Sequence, residues 1–250
     1  MIAPSKAQEP PWPDRWLDYW YRDRPGWIDG TAAFHALCRT AIPRDAEILE
    51  VGPGVGNPTS AFLSSVWVVH GLDIDPAAAR NPSLRSFHVL SGPTYPFPDE
   101  TFGAVVSDYV VEHVKDPSEH LREVFRVLAP GGVYALRTPN VLHYVGMVAA
   151  VTPHWFHALV SGRLRGHAPG AHEVFPTFYR LNTSRAIDRH ALDAGFRIRS
   201  VEMVEKEPSY GRASRALFVA GVTYERVVNR FVALANFRAN IFAVLEKPAP

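Results

Sequence analysis

The segment Ile48-Leu49-Glu50-Val51-Gly52-Pro53-Gly54-Val55-Gly56-Asn57 joins a short apolar run, an acid near its end and three alternating glycines. The run has the length and composition of a buried strand. The glycines permit a tight turn after it and let a ligand approach the backbone itself. A second apolar run, Val66 to Leu72, ends in Asp73. In a doubly wound sheet, an acid at the tip of the second strand accepts hydrogen bonds from ribose hydroxyls. The chemistry indicated is recognition of a nucleoside-containing small molecule. Spacing narrows it. A dinucleotide loop reads G-x-G-x-x-G and turns a helix N-terminus toward a pyrophosphate. Here the order is Glu-x-Gly-x-Gly-x-Gly, with Asn57 where the third dinucleotide glycine would fall. Glu50 would repel a pyrophosphate but suits a ligand with a cationic end, such as an ammonium or a sulfonium.

Further segments follow in order: Pro96 to Phe102, Val105 to Val114 with the pair Glu112-His113, Glu123 to Gly132, and Ala135 to Asn140. With the glycine loop, they make the stretch from Ile48 to Asn140 resemble the class I S-adenosylmethionine-dependent methyltransferases of small-molecule type. A weaker echo lies at Leu192 to Phe196. The resemblance implies S-adenosyl-L-methionine as cofactor and an α/β, Rossmann-like fold. Its sheet would have seven mostly parallel strands with an antiparallel last strand, and would carry an N-terminal helical lid and helical insertions. Residues 1–41 would be the lid and residues 42–250 the methyltransferase-like domain, with insertions at 141–182 and 212–236. The acceptor implied is a small molecule of secondary metabolism.

Ligands of open α/β sheets sit at the carboxyl ends of the strands. Glu50, Gly52 and Gly54 are accordingly expected at the methionine part, Asp73 at the ribose and Ile74 on one adenine face. Ser91 and Gly92 stand where the family commonly places an aspartate for the adenine amine. Ser91 can accept through its hydroxyl and Gly92 can offer a backbone N–H. Asp108, or the neighbouring backbone at Tyr109, is expected to hold the ligand's ammonium.

Methyl transfer to oxygen needs alignment and a general base. His113, His143 and His172 are candidate bases, and Asn140 and Tyr179 candidate positioning groups. Phe175 to Thr183 crowds aromatic and polar groups just before a helix start. The same cofactor also permits a second reaction, in which its own amine displaces methylthioadenosine to give azetidine-2-carboxylate, as in the S-adenosylmethionine cyclases of this fold. An aromatic lid and an Asn140/Tyr179 pair are compatible with that. A non-catalytic binding module is the third reading. No metal is expected, although His167, His172 and Glu173 lie close together in sequence.

The elements that must position these groups follow from periodicity and stop signals. Strands are expected at 48–51, 66–72, 86–90, 103–108, 132–138, 196–205 and 240–247. Helices are expected at 58–65, 76–80, 117–128 and 183–194. Asp14 could cap a helix through Trp20, and Asp29 or Thr31 a second through Thr40. Trp12, Trp16, Tyr19, Trp20 and Tyr21 would either stack on the sulfonium side of the ligand or simply pack. Ala213 to Phe237 places Phe218, Val222, Val228, Phe231 and Ala235 at helical spacing with charges opposite. That face either meets protein, the sheet or a second copy in a homodimer, or touches lipid. Neither it nor Val141 to Leu164 has the uninterrupted apolar length of a membrane span.

Of 250 residues, 47% are hydrophobic, and the net charge of +1 is interspersed. A nucleic-acid partner is therefore not expected. The lone cysteine, Cys38, excludes an internal disulfide, and Met1 to Pro13 lacks the pattern of a signal peptide. A cytoplasmic location is the expectation.

Overall fold

The structure, a computed structural model, describes residues 10–144, 175–208 and 214–249. Its centre is a seven-stranded sheet of order β3-β2-β1-β4-β5-β7-β6. The strands are β1 (Glu47–Val51), β2 (Val68–Asp73), β3 (Ser86–Val89), β4 (Phe102–Asp108), β5 (Leu128–Pro139), β6 (Arg197–Val204) and β7 (Asn240–Glu246). Neighbours from β3 to β5 run parallel, and β7 is antiparallel to both β5 and β6. The Rossmann-like sheet with an antiparallel last strand is therefore present.

Strand alternation sorts the residues onto two faces. Leu49, Val51, Val105, Tyr134 and Leu136 pack with α4 (Pro117–Val127) and α5 (Ser184–Asp193). Ile48, Val69, Ala104, Val106 and Ala135 pack with α2 (Gly30–Ala41) and α3 (Pro58–Ser64), where Phe34, Cys38 and Leu63 are fully buried. By the same parity Glu50, Asp108 and Arg137 fall on the α2/α3 face, near the carboxyl ends of three adjacent strands. Cys38 is thus a core residue, its thiol pushed up by burial.

Caps set the helix starts. Asp29 accepts from Ala32 N, Asp116 from Glu119 N and Thr183 from Ala186 N. The first helix, α1 (Trp12–Leu17), begins after Pro11 without a side-chain cap. Asp14, expected to cap it, lies in its first turn instead; proline at the helix start is favoured without one.

α6 (Arg215–Arg230) links β6 to β7. The N-terminal aromatics gather on it: Trp12 and Trp16 meet the Phe218 ring edge-on, at 6.4 and 5.6 Å between centroids. Leu17 and Tyr21 complete a small core with Phe218 and Val222. Of the two placements open to these aromatics, the fold gives Trp12, Trp16, Trp20 and Tyr21 plain packing, because α6 offers a buried apolar face of its own, while Tyr19 stays exposed.

Candidate functional site

The glycine loop is held in conformations that favour glycine. Gly52, Gly54 and Gly56 have φ of 71°, 56° and 123°. A Cβ on Gly52 would also come within 2.4 Å of Val110 Cγ2, so the loop lies directly on the chain after β4. A Cβ on Gly54 would meet nothing within 4 Å, which leaves open space at its backbone. Gly54 N donates to Asp73 Oδ2 at 3.0 Å, and Asp75 N donates to Oδ1 at 2.9 Å. Asp73 therefore braces the loop from the tip of β2.

Asn57 explains why this is not a pyrophosphate loop. Its side-chain oxygen accepts from Thr59 N at 2.8 Å and Ser60 N at 2.9 Å. The N-terminus of α3 is thereby closed by the protein's own amide, and the donors a pyrophosphate would use are occupied.

Glu50 is 1% exposed. Ser60 Oγ donates to its Oε1 at 2.8 Å, while its Oε2 is buried without a hydrogen-bond partner. Burial pushes this carboxyl up to about 7, against the pull of the Ser60 hydrogen bond and of the nearby Asn57 side chain. A buried oxygen left in this state costs about 1–3 kcal/mol unless something else satisfies it. Ile74, Ser91 and Gly92 are exposed along the same side, beyond β2 and β3. The orphaned oxygen and the open space at Gly54 fit a ligand that brings a cationic end to a glycine loop.

Asp108 is in a different condition. Arg137, directly opposite it in the β4–β5 register, grips both carboxylate oxygens at 2.5 Å. Thr59 Oγ1 adds a third bond at 2.6 Å, and Arg137 also donates to Thr31 Oγ1 at 3.1 Å. Phe34 and Tyr109 flank the guanidinium, their centroids 5.3 and 4.6 Å from it. The carboxylate of Asp108 is thus occupied by the protein, and the neighbouring backbone is the half of that expectation still open to a ligand. Tyr109 holds φ at 57°, and its hydroxyl donates to Asn240 Oδ1 at 2.7 Å.

Asn140 is also consumed internally. Its Nδ2 donates to the carbonyls of Asn236 and Arg238, both at 2.7 Å, and its Oδ1 accepts from Leu142 N. The side chain latches the α6–β7 connection to the end of β5. No hydrogen bond joins Asn140 to Tyr179 among the described residues. Tyr179 is 39% exposed with φ of 52°, and its backbone N–H donates to Glu112 O.

His143 is buried beside Tyr144 and Tyr224. Burial lowers its imidazole to about 4 and raises Glu205, 3.5 Å from its Nε2, to about 8. Desolvation thus disfavours a charge on either group. His113 is half-exposed, with Nδ1 3.0 Å from Pro176 O. A carbonyl only accepts, so Nδ1 carries the proton and Nε2 of the neutral ring keeps its lone pair. His167, His172 and Glu173 lie outside the described residues.

Sequence reasoning missed Thr59, Ser60, Glu112 and the role of Arg137. One signal was readable: an arginine inside the apolar strand Ala135 to Thr138 needs a buried partner. Glu112 is buried, raised to about 7 by desolvation, and bonded by Thr138 Oγ1. Asn182 Nδ2 bonds the same Thr138 oxygen, so segment 175–182 is anchored against the end of β5.

Residues 49–136 match the family model of a methyltransferase domain. A probable S-adenosylmethionine-dependent methyltransferase of Mycolicibacterium smegmatis is 33% identical over 128 residues, which cover 49% of this chain and 46% of that protein. A demethylmenaquinone methyltransferase of Tropheryma whipplei is 34% identical over 104 residues, 39% of this chain and 44% of that one. The matches thus span less than half the length of these relatives. Among solved structures, a putative methyltransferase of Haloferax volcanii, in complex with the Trm112 methyltransferase activator, superposes with a TM-score of 0.57. It has 20% identity and covers 94% of both chains, a likeness of fold.

Proposed function

We propose that this chain is a class I S-adenosylmethionine-dependent methyltransferase that uses S-adenosylmethionine to methylate a small-molecule acceptor, a reading supported by the methyltransferase-domain match and the relatives above. The observation that carries the reading is the buried, unpartnered Oε2 of Glu50 beside the open backbone of Gly54. One of the relatives is named for a small-molecule acceptor, demethylmenaquinone.

Glu50 and the glycine loop would hold the cationic amino-acid end, Asp73 the ribose, and Ile74, Ser91 and Gly92 the adenine. The backbone at Asp108 and Tyr109 would take part at the ammonium. When bound, the cofactor supplies a methyl group activated by a positively charged sulfur. The chain's own contribution is then alignment of the acceptor and removal of its proton.

Phe178, Tyr179 and Tyr109 are partly exposed near Glu112, on segments that border the carboxyl end of β4. They suit an acceptor with an apolar or aromatic body. His113 is the preferred base, because its Nε2 is free to accept a proton; His143 is buried and already depressed. Replacing His113 with alanine should lower kcat about 10²–10⁴-fold, with cofactor affinity unchanged. Equal kcat would remove His113 from the role.

Cyclisation of the cofactor has less support. The aromatics that could have enclosed it pack on α6, and Asn140 is occupied by backbone carbonyls. Incubating the protein with S-adenosylmethionine alone, followed by mass spectrometry, separates the readings. Methylthioadenosine above background would favour cyclisation. Binding without turnover, followed by methylation once acceptors are added, supports the proposal; no binding would end it.

A further inference from the structure

α6 presents a second surface that cofactor chemistry does not use. It leaves β6 after Val204 and returns at Asn240, which pairs with Pro139 at the end of β5. The connection therefore sits at the carboxyl end of the parallel strands, beside the candidate site. One face of α6 is buried through Phe218, Val222 and Val228.

The other face exposes Leu217, Val219, Val227 and Phe231, followed by Val232, which is 85% exposed. On a helix, Val219, Arg226, Val227 and Arg230 share that outer half. The cations lie over aromatic rings: Arg226 over Trp20 at 5.4 Å, and Arg230 over Phe231 at 6.0 Å. Neither forms an ion pair among the described residues. The single acid of α6, Glu225, is occupied at the inner side, where it accepts from Tyr21 and Asn229. Tyr19, 70% exposed, lies next to Trp20.

The surface is therefore apolar and cationic, without an outward carboxylate on the helix. A second copy meeting it across a two-fold axis would set arginine against arginine. An anionic lipid surface complements both halves: apolar side chains enter the acyl boundary while arginines meet phosphates. Among the described residues no helix is long and apolar enough to cross a membrane, so α6 would lie in the interface plane.

We propose that the outer face of α6, with Val227, Phe231 and Val232 inserted and Arg226 and Arg230 at the headgroups, docks the protein on anionic lipid. The test is flotation of the full chain with phosphatidylglycerol-containing vesicles and with pure phosphatidylcholine vesicles. Binding should be at least about tenfold stronger to the anionic vesicles and should weaken as salt rises. The double variant F231S/V232S and the double variant R226Q/R230Q should each lose about tenfold or more in partition. Affinity for S-adenosylhomocysteine serves as the folding control and should not change. No binding by the parent, or equal binding by the variants, would overturn the proposal. A self-associated species in ultracentrifugation that F231S/V232S dissolves would assign the face to a second copy instead.

Discussion

Two neighbouring carboxylates, buried Glu50 on β1 and half-buried Asp108 two residues farther along on β4, share a face of the sheet, yet their surroundings differ. Asp108 has a bidentate arginine and a threonine, with aromatic rings flanking the arginine. Glu50 has one serine hydrogen bond, the Asn57 side chain nearby and an oxygen that makes no hydrogen bond. A closed polar cluster stabilises a fold, because each desolvated group is compensated internally. An open one beside a glycine loop is a place for a ligand. By the same test Asn140 belongs with the closed clusters, since its side-chain amide is bonded to backbone carbonyls.

The comparison breaks most visibly at Arg137. Its replacement by alanine should leave Asp108 without its ion pair, held by Thr59 alone, and cost about 3–5 kcal/mol, measurable by denaturant unfolding. Gly52→Ala should cost about 2–4 kcal/mol through its positive φ and its collision with Val110. It should also weaken cofactor binding by calorimetry. Asn140→Ala should cost about 1–3 kcal/mol of stability and leave cofactor affinity alone. A large affinity loss there would return Asn140 to the site.

Glu50 sharpens the comparison through pH. Its folded carboxyl is raised to about 7 from 4.5. The resulting favourable contribution to stability is fully present below about 4.5 and is lost as pH rises through about 7. A cationic ligand reverses the preference, since it binds the ionised form. Affinity for S-adenosylhomocysteine should therefore rise with pH, by up to about tenfold per unit below pH 7. Glu50→Gln should flatten that slope; an unchanged slope would detach Glu50 from the ligand's charge.

Much of the fold was legible because its signals are local. The glycine loop, the Asp29, Thr183 and Asp73 positions and the strand order of apolar runs need only short windows of sequence. α3 and α4 likewise end within a residue of their expected bounds. The site was legible in its loops and obscure in its pairings. Asp108 looked like a ligand to an ammonium because nothing near it in sequence announces Arg137, 29 residues away. Asn140 looked free because its acceptors, Asn236 and Arg238, lie almost a hundred residues on. The N-terminal aromatics had two apolar destinations, and their spacing could not choose between them.

The sequence by itself carried the pattern on which the proposed cofactor rests. Glutamate before three glycines, an asparagine closing the next helix and an acid on the second strand are each fixed by chain order. Only the tertiary structure decided which polar groups are spent on the fold and which remain open. That depends on strand register, which sets Asp108 against Arg137, and on the docking of α1 against α6. Both are contacts between segments far apart in the chain, and their energies depend on burial that no single segment possesses alone.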